Sequence, residues 1–461
     1  MRSMVFFVAV CLVLSETGRL FAEPVPVFRK VVISDLHLGS GLREHGAPNP
    51  LEDFLFDSEF GIFLEQFEDH VSTELIIAGD FVDFLQVKPE LNLVGKTVRG
   101  SSPNDSQIKL KAVYRGHLGV FRALRRFLKS NHENRIVIIP GNHDADFTFP
   151  SVQQLFRTLL GTASARVDFR PEAYQDRKVY IAHGHQFDPL NRFRDPVNPV
   201  INGRLEVNWG TKFVVAFWNR EEERDPFIDN VHPETDMLWH TLRHAPLLTT
   251  RLPGIVEFFA AVKRSDLSLI TFGRAVALGP TDTADVRSFE DLLDTMQSTD
   301  YHDQQIFKAL RSTYRNDRVF HAQVETELAS LPQPLRNALG KPLALGVQPQ
   351  LGVMMPDPYL EGAKDILRSP AIQIVVFGHT HDAIGGRDLG GGKMYFNDGC
   401  WHQTLDIHKA VQYRWEELDL RNHDIFPMIF SYVLIDYSVD MMPHPRLLFW
   451  TPPGLSSSRR K

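Results

Sequence analysis

The segment RIVIIPGNHD, residues 135–144, joins a short apolar run to a glycine and three polar residues that can carry chemistry. A run of isoleucine and valine that ends in proline and glycine is typical of a buried strand. Asn142, His143 and Asp144 follow the end of this predicted strand directly. Open α/β sheets bind their ligands outside the carboxyl ends of the strands. We therefore expect a functional site at this point of the chain.

The same pattern occurs at four other places, where an apolar run ends in a cluster of Asp or His residues. The runs and their clusters are 28–34 with SDLH (34–37), 74–78 with GDFVD (79–83), 178–182 with HGH (183–185), and 372–377 with GHTH (378–381). Residues 60–71 and 112–130, which lie between these runs, have apolar positions at helical spacing. Strands that alternate with helices predict a layered α/β fold, in which the five clusters converge on one site.

Composition restricts the function further. The chain has 461 residues, of which 43% are hydrophobic and 23% charged, and these values are typical of a globular protein. Its net charge of -7 predicts no nucleic-acid-binding surface. The only cysteines are Cys11 and Cys400. A disulfide framework and a thiolate metal site are therefore excluded, and any metal must be bound by nitrogen and oxygen atoms.

The N-terminal residues predict export. Arg2 precedes an apolar run over residues 4–14, which is too short to cross a membrane and fits the apolar core of a secretory signal. We interpret residues 1–22 as a signal peptide and expect a periplasmic or secreted protein without a transmembrane helix in the mature chain. The alternative is a misassigned start that adds apolar residues to a cytoplasmic enzyme.

The rest of the chain is divided by the pattern of its elements. Residues 27–190 and 368–450 are predicted to form the two parts of one core, with further strands at 393–397, 429–439 and 446–450. Residues 191–367 are mostly helix-like and contain proline and glycine breaks, which predicts a large, mainly helical insertion. This insertion is either a lid over the site or a set of peripheral helices. Residues 451–461 are predicted to be a disordered tail.

Together, and in this order, the five clusters resemble the calcineurin-like metallophosphoesterases. The pattern of that family is D-x-H, GD-x-x-D, GNH[DE], a histidine in a GH or HG block, and GH-x-H. The segment YFNDGCW, residues 395–401, is also similar to the strand and turn that follow the last block. The resemblance implies a four-layer αββα metallophosphoesterase sandwich with two divalent metal ions.

One branch of the family shares more of the sequence. ISDLHLG, residues 33–39, and the HG block at His183 resemble the UDP-2,3-diacylglucosamine hydrolase branch. That branch usually has arginine where this chain has His143, so its substrate is not transferred to this chain.

The resemblance also implies the metal ligands. It places Asp35, His37, Asp80 and His381 on the first metal, and Asp80, Asn142, His183 and His379 on the second. A carboxylate such as Asp80 can bridge two ions because each of its oxygens can bind one of them. His183 and His185 compete for one ligand position; His183 is favoured, and His185 is expected to support the ligands or to face the substrate. Imidazole and oxygen ligands suit Mn, Fe or Zn, with Mg possible but less favoured, and of these we expect Mn.

The expected chemistry is hydrolysis by a hydroxide that bridges the two metals. His143 is predicted to act on the leaving group, as a general acid or a positive charge, with Asp144 as its orienting partner. Asp144 could instead cap a turn. Asp83 is expected to cap a helix or to support the ligands from behind, or to face the substrate, rather than to bind metal.

Our main hypothesis is a hydrolase of a phosphomonoester or phosphodiester, with a phosphorylated small-molecule or lipid-linked substrate. A pyrophosphatase acting on a nucleotide-linked lipid or sugar is the first alternative. A non-catalytic scaffold of the same fold is the second, and the complete set of metal ligands disfavours it.

Overall fold

The structure is a computed structural model that describes residues 26–41, 49–89, 93–94, 97–161, 166–188, 190–232 and 357–453, together with single positions between 311 and 325. The predicted signal peptide, residues 1–22, lies outside the described residues. So do residues 233–310 and 326–356 of the predicted insertion and residues 454–461 of the predicted tail. In the part of the chain that the structure covers, no helix is both long enough and apolar enough to span a membrane.

The described elements alternate between strands and helices. In chain order the strands are β1 (Phe28–Ile33), β2 (Ser72–Ala78), β3 (Leu93–Val94), β4 (Thr97–Val98), β5 (Arg135–Ile139), β6 (Val167–Phe169), β7 (Ala173–Asp176), β8 (Val179–Ala182), β9 (Val200–Ile201), β10 (Arg204–Leu205), β11 (Val231–His232), β12 (Ile374–Phe377), β13 (Ile384–Asp388), β14 (Met394–Asn397), β15 (Leu405–Asp406), β16 (Phe430–Tyr437) and β17 (Pro443–Trp450).

The α-helices are α1 (Asp57–Glu65), α2 (Pro103–Gly116), α3 (Leu118–Ser130), α4 (Pro150–Leu159), α5 (Trp209–Phe213), α6 (Asn219–Glu222), α7 (Pro358–Leu367) and α8 (Ile407–Ala410). Short 3-10 helices occupy Ala145–Thr148, His185–Phe187 and Trp415–Glu417, and a π-helix occupies Val214–Trp218.

Two large sheets contain the predicted strands. The first has the order β17-β16-β1-β2-β5-β6, and the second has the order β13-β14-β12-β8-β7. In the first sheet β1, β2, β5 and β6 are parallel, and in the second β14, β12 and β8 are parallel. The five strands predicted to precede the polar clusters are β1, β2, β5, β8 and β12, and all five are confirmed.

The core has three layers of side chains. Val32 and Ile76 of the first sheet pack in one apolar cluster with Ile181 and Val376 of the second, so the two sheets face each other. The other face of the first sheet packs on α1 to α4, and the other face of the second packs on α7. A face of each sheet must be covered to remove apolar surface from water. The predicted four-layer αββα sandwich is therefore confirmed.

The predicted helix over residues 112–130 is instead two helices, α2 and α3. Ser102 caps α2, since its hydroxyl accepts a hydrogen bond from the Asp105 amide and the Asp105 carboxylate accepts one from the Ser102 amide. The break falls at His117, whose backbone leaves the helical region with φ −120° and ψ 47°. The His117 ring is buried between two carboxylates, and this tertiary contact outweighs the local helical periodicity. The predicted helix over residues 60–71 similarly begins earlier, at Asp57, and ends at Glu65.

Candidate metal centre

The five polar clusters meet where the parallel strands of both sheets end. β1, β2 and β5 deliver the clusters of the first sheet, and β8 and β12 deliver those of the second. Among the described residues, donor atoms of Asp35, His37 and Asp80 lie within 4.8 Å of one another. Donor atoms of Asp80, His183 and His379 form a second group of this kind. Asp80 belongs to both groups.

The first group leaves buried atoms without partners. His37 Nε2 lies 3.8 Å from Asp35 Oδ1 and 3.9 Å from Asp80 Oδ2. His381 Nε2 lies 3.3 Å from the same Asp35 oxygen. Asp35 Oδ1 and His37 Nε2 are both buried and have no hydrogen-bond partner. Unpaired buried polar atoms cost free energy, and a cation between these atoms would satisfy both of them. The residues therefore fit a metal ion.

The second group adds an amide oxygen to the imidazoles. His183 Nε2 lies 3.0 Å from Asp80 Oδ2 and 3.2 Å from Asn142 Oδ1. The same Asp80 oxygen is thus close to an imidazole of each group, while Asp80 Oδ1 accepts a hydrogen bond from the His143 amide at 2.8 Å. Asp80 thus lies between the two groups, but it faces both through one oxygen, Oδ2, whereas we expected each of its oxygens to serve one ion.

Three imidazoles have their second nitrogen engaged by an oxygen acceptor. His37 Nδ1 lies 3.1 Å from Asp83 Oδ2, and His183 Nδ1 lies 2.9 Å from the main-chain oxygen of Ala78. His379 Nε2 lies 3.1 Å from Asp188 Oδ2. Such partners hold the proton on one nitrogen and leave the other nitrogen free to bind a metal.

The backbone at these strand ends is strained. Five of the residues that face the site have positive φ angles: Asp35 (54°), His37 (51°), Asp80 (49°), His379 (69°) and His381 (58°). Residues with side chains seldom adopt this left-handed conformation, and such strain is concentrated at functional sites. It allows residues two positions apart on one strand end, such as Asp35 and His37, to turn toward the same point.

Two glycines leave room for the ligands. A Cβ atom on Gly141 would collide with Asp80 Oδ1 and the His183 ring, and one on Gly79 would collide with the His183 ring. Gly79 also has a φ of 100°, which side chains rarely permit. The glycines that precede Asp80 and Asn142 are therefore required for the donor groups to approach each other.

Opposite charges in the site compensate each other. Burial raises the pKa of Asp35, but the charge of His183 and the neighbouring imidazoles of His37 and His381 outweigh burial and hold this pKa well below its usual value. Burial lowers the pKa of His183, but the charges of Asp80 and Asp35 raise it to about 9. A bound cation would replace the imidazolium charges, since imidazoles bind metals in their neutral form.

The predicted pairing of His143 with Asp144 is wrong. His143 Nδ1 instead lies 2.6 Å from Asp83 Oδ2. The Asp144 carboxylate is fully buried and accepts hydrogen bonds from the amides of Gly141 at 2.6 Å and Phe81 at 2.9 Å. It therefore fixes the turn after β5, which corresponds to the alternative of a turn cap. Asp144 immediately precedes the 3-10 helix at Ala145, and each of its carboxylate oxygens is held by one of these amides.

Asp83 supports the donor residues from behind, as one of its predicted roles has it, and it caps a turn rather than a helix. Its Oδ1 accepts hydrogen bonds from the amides of Leu85 and Gln86, which fixes the loop after β2. Its Oδ2 is then free to contact His37 and His143 together. Burial lowers the pKa of His143, but the charges of Asp83 and Asp80 outweigh burial and raise it above its usual value. This shift favours the protonated form of His143.

His185 lies behind the site rather than among the donors. Its ring centre is 5.4 Å from that of His183 and 5.6 Å from that of Phe193, and its Nδ1 is buried without a hydrogen-bond partner. The structure brings His183, and not His185, into contact with Asp80 and Asn142.

Sequence reasoning missed four residues of the site. Asp188 contacts His379 and also accepts a hydrogen bond from Asn191, and Asn191 contacts Asn142. His232 and His402 lie against His381. Asp188 follows the HGH block by three residues and His402 follows YFNDGCW directly, so proximity to these two motifs was the available signal.

The αββα sandwich with Asp, His and Asn donors at its strand ends agrees with the architecture of a metallophosphoesterase sandwich. Residues 28–251 match the family model of the calcineurin-like phosphoesterases. The matched residues resemble this family, and the match supports metal-dependent hydrolysis of phosphoesters. His379 and His381 lie beyond the matched residues, and β12 brings them into the site.

Three solved structures are similar to the chain at low identity. A Staphylococcus aureus protein described as a 5'-nucleotidase, in complex with alpha-ketoglutarate, is 12% identical with a TM-score of 0.29, over 94% of this chain and 56% of that one. A dimetal phosphatase from Danio rerio is 12% identical with a TM-score of 0.31, over 93% and 99%. A single mutant of Vps29 from Entamoeba histolytica is 9% identical with a TM-score of 0.21, over 92% and 100%.

This chain thus spans little more than half of the Staphylococcus aureus protein. Likenesses with TM-scores this low say nothing about function. No curated protein matches the chain.

Proposed function

We propose that the chain hydrolyses phosphoric ester bonds, in a phosphomonoester or phosphodiester, with two divalent metal ions. The observation that carries this proposal is the convergence of seven donor residues from five strand ends on two adjacent groups that share Asp80. The first ion would be held by Asp35, His37, Asp80 and His381, and the second by Asp80, Asn142, His183 and His379.

The donor chemistry favours particular metals. The two groups contain four imidazoles, two carboxylates and one amide oxygen, a mixture that suits Mn, Fe or Zn better than Mg. We take Mn²⁺ as the first choice. When bound, the two ions supply charge neutralisation at the phosphoryl oxygens and activation of a water molecule as the nucleophile.

Two side chains of the site can act together to protonate the leaving group. Asp83 holds Nδ1 of His143, so Nε2 is the nitrogen of His143 that remains for the substrate. The His143 side chain is 16% exposed, whereas that of Asp83 is 1% exposed, so the imidazole faces the open side of the site and its carboxylate partner lies behind it. We assign His143 as the general acid that gives a proton to the departing oxygen, with Asp83 as the residue that orients it.

The completeness of the donor set argues against a non-catalytic scaffold. The family includes non-catalytic members. In this chain every donor that the family pattern requires is present, and all of them lie in the two groups or in contact with them. A scaffold has no need of the strained φ angles at Asp35, His37 and Asp80, because only ligand binding requires these side chains to converge.

Turnover of simple esters tests the proposal. The purified protein is loaded with Mn²⁺ and assayed with an aryl phosphodiester and with the matching monoester. We expect turnover of at least one ester and a loss of at least about 100-fold in Asp80→Asn, because the bridging carboxylate is removed from both ions.

The matched control is Asp419→Asn. Asp419 is an exposed carboxylate far from Asp80 in the sequence and pairs with Arg421, so this variant should retain wild-type turnover. Undiminished turnover and metal content in Asp80→Asn would refute the proposal.

A further inference from the structure

His381 differs from the other imidazoles of the centre in what its second nitrogen contacts. Its Nε2 faces the first donor group, 3.3 Å from Asp35 Oδ1. Its Nδ1 lies 3.2 Å from His402 Nε2 and 3.4 Å from His232 Nε2. The corresponding nitrogens of His37, His183 and His379 each meet an oxygen acceptor instead. The proton of His381 therefore has an imidazole as its nearest acceptor.

His402 is held firmly in this position. It is 3% exposed, and its ring stands edge-on to that of His381 with the two centres 4.5 Å apart. Its Nδ1 lies 3.2 Å from the main-chain oxygen of Gln403, which can accept the Nδ1 proton. With the proton on Nδ1, His402 Nε2 has a free lone pair that points toward His381 Nδ1.

A small two-stranded sheet holds the segments of His402 and His232 together. β11 pairs with β15 in a small parallel sheet, with Val231 opposite Leu405. Asn230, which precedes β11, donates a hydrogen bond from Nδ2 to the Gln403 main-chain oxygen at 3.1 Å, and the main-chain oxygen of Asn230 accepts one from the Leu405 amide at 2.9 Å. Asn230 Nδ2 also lies 3.2 Å from His402 Nδ1. The segment that carries His402 is thus joined to the segment that carries His232.

We infer that His402 is a positioning residue for the first metal: it accepts the Nδ1 proton of His381 and so presents His381 Nε2 to the ion. This inference rests on the proposed two-metal function. His402 is preferred to His232 for this role because its nitrogen is closer to His381 and its side chain is more deeply buried. His402 also belongs, with His37 and His381, to a group whose donor nitrogens lie within 4.8 Å of one another.

His402 should affect the affinity of the first metal site. Partners that orient a metal ligand typically contribute roughly 10–100-fold to affinity or activity. Removing the acceptor should therefore weaken the first metal and leave the second unchanged, because Asn142, His183 and His379 do not contact His402. Replacing the acceptor by another one should restore the first metal.

Two substitutions separate acceptor chemistry from packing. His402→Leu keeps a similar volume and has no acceptor, whereas His402→Gln offers an amide oxygen to the His381 proton. His408→Ala is the control, since His408 is an exposed histidine six residues further along the same segment. Thermal unfolding of each metal-free protein shows whether the variant folds.

The full chain is titrated with Co²⁺ while visible absorption is recorded. The titration gives the absorption spectrum and the dissociation constant of each bound ion. We expect roughly 10–100-fold weaker binding of one ion and an altered spectrum in His402→Leu, near wild-type behaviour in His402→Gln, and no change in His408→Ala. Wild-type affinities and spectrum in His402→Leu would overturn the inference. Equal losses in the Leu and Gln variants would also overturn it, because packing alone would then explain the effect.

The wild-type titration separates the two proposals. If the wild-type chain binds two ions and His402→Leu binds both with unchanged affinity, only the role of His402 is refuted. Failure of the wild-type protein to bind two ions would refute the two-metal function, and the role of His402 with it.

Discussion

The Asp83 Oδ2 atom lies 2.6 Å from His143 Nδ1, and the same oxygen lies 3.1 Å from His37 Nδ1. A single carboxylate oxygen thus orients the proposed acid and a proposed metal ligand together. The other oxygen of Asp83 is held by the amides of Leu85 and Gln86, so the carboxylate cannot rotate without breaking four contacts.

Asp83→Asn should slow the chemical step. The asparagine amide has no negative charge to raise the pKa of His143. Its NH2 group would also face the two imidazole nitrogens, of His143 and His37, from which the carboxylate oxygen can accept protons. We therefore expect kcat to fall by about 100-fold. The loss should be larger for an alkyl or phenyl leaving group than for a nitrophenyl group, because a poor leaving group needs the proton more. Measuring kcat across such a series checks this.

Asp144→Asn serves as the comparison for Asp83. Asp144 contacts two backbone amides and not His143, so this variant should lower the melting temperature while the leaving-group dependence of kcat stays as in the wild type. If Asp83→Asn lost activity equally for all leaving groups, its assignment to the acid would be wrong.

Gly141→Ala should disrupt the metal centre. The added methyl group would collide with Asp80 and the His183 ring, and a displacement of about 1 Å can cost roughly 100-fold in rate. We expect both kcat/KM and bound metal to fall. Gly61→Ala is the control, because its new methyl group meets no other atom closer than 3.9 Å and alanine favours the helix α1. Normal metal content in Gly141→Ala would contradict the proposed packing of the two donor groups.

His117 should make stability depend on pH. Burial lowers the pKa of His117, but the charge of Glu52 and a hydrogen bond to Asp57 raise it to about 10, from an ordinary value of 6.5. Because the pKa of His117 is higher in the folded state than in the unfolded state, its protonation stabilises the fold. This contribution is fully present below pH 6.5 and is lost as the pH rises toward 10. The loss from this group is at most about 1.4 kcal/mol per pH unit.

Denaturant unfolding of the wild type and of His117→Gln at several pH values tests this. The difference in unfolding free energy between the two proteins should be largest near pH 6 and should shrink at higher pH. A difference that grows with pH would contradict the charged state that we assign to His117.

Lys30 joins the two sheets through the ion pairs of its buried side chain and should contribute to stability. It is 0% exposed on β1 of the first sheet, and its Nζ lies 2.9 Å from Asp176 and 3.2 Å from the Tyr174 hydroxyl on β7 of the second. It also pairs with Glu74 on β2. Lys30→Met leaves Glu74 without its cation, so we expect a loss of about 3–5 kcal/mol in unfolding free energy with kcat unchanged.

The double variant Lys30→Met with Glu74→Leu should recover part of this stability, since it removes the unpaired carboxylate as well. Chemical denaturation of the three proteins measures both effects. A double variant no more stable than the single one would show that the charges do not act as a pair.

The sequence predicted the strands and the donor residues because both depend on local pattern. Short apolar runs that end in Asp, His or Asn clusters identify β1, β2, β5, β8 and β12 without knowledge of the tertiary fold. The resemblance to a known family then assigned each donor to a metal, and the structure brings these donors together at the strand ends.

The partners of the donors were not predictable in this way. Asp144 is adjacent to His143 in sequence, but its carboxylate is held by the amides of Gly141 and Phe81, and Asp83 from the loop after β2 contacts His143 instead. His232 and His402 meet only because β11 pairs with β15, which connects segments about 170 residues apart. Such contacts depend on side-chain direction and on long-range pairing, and neither leaves a periodic signal in the sequence.

The most direct test of the two-metal centre is the number of metal ions bound per chain. Mn²⁺-loaded wild-type protein and Asp80→Asn are dialysed against metal-free buffer and analysed by mass spectrometry for metal content. We predict two ions per wild-type chain and a loss from both sites in Asp80→Asn, because Asp80 lies in both donor groups. A wild-type chain with one ion or none, or a variant that retains two, would contradict a centre in which Asp80 joins two metals.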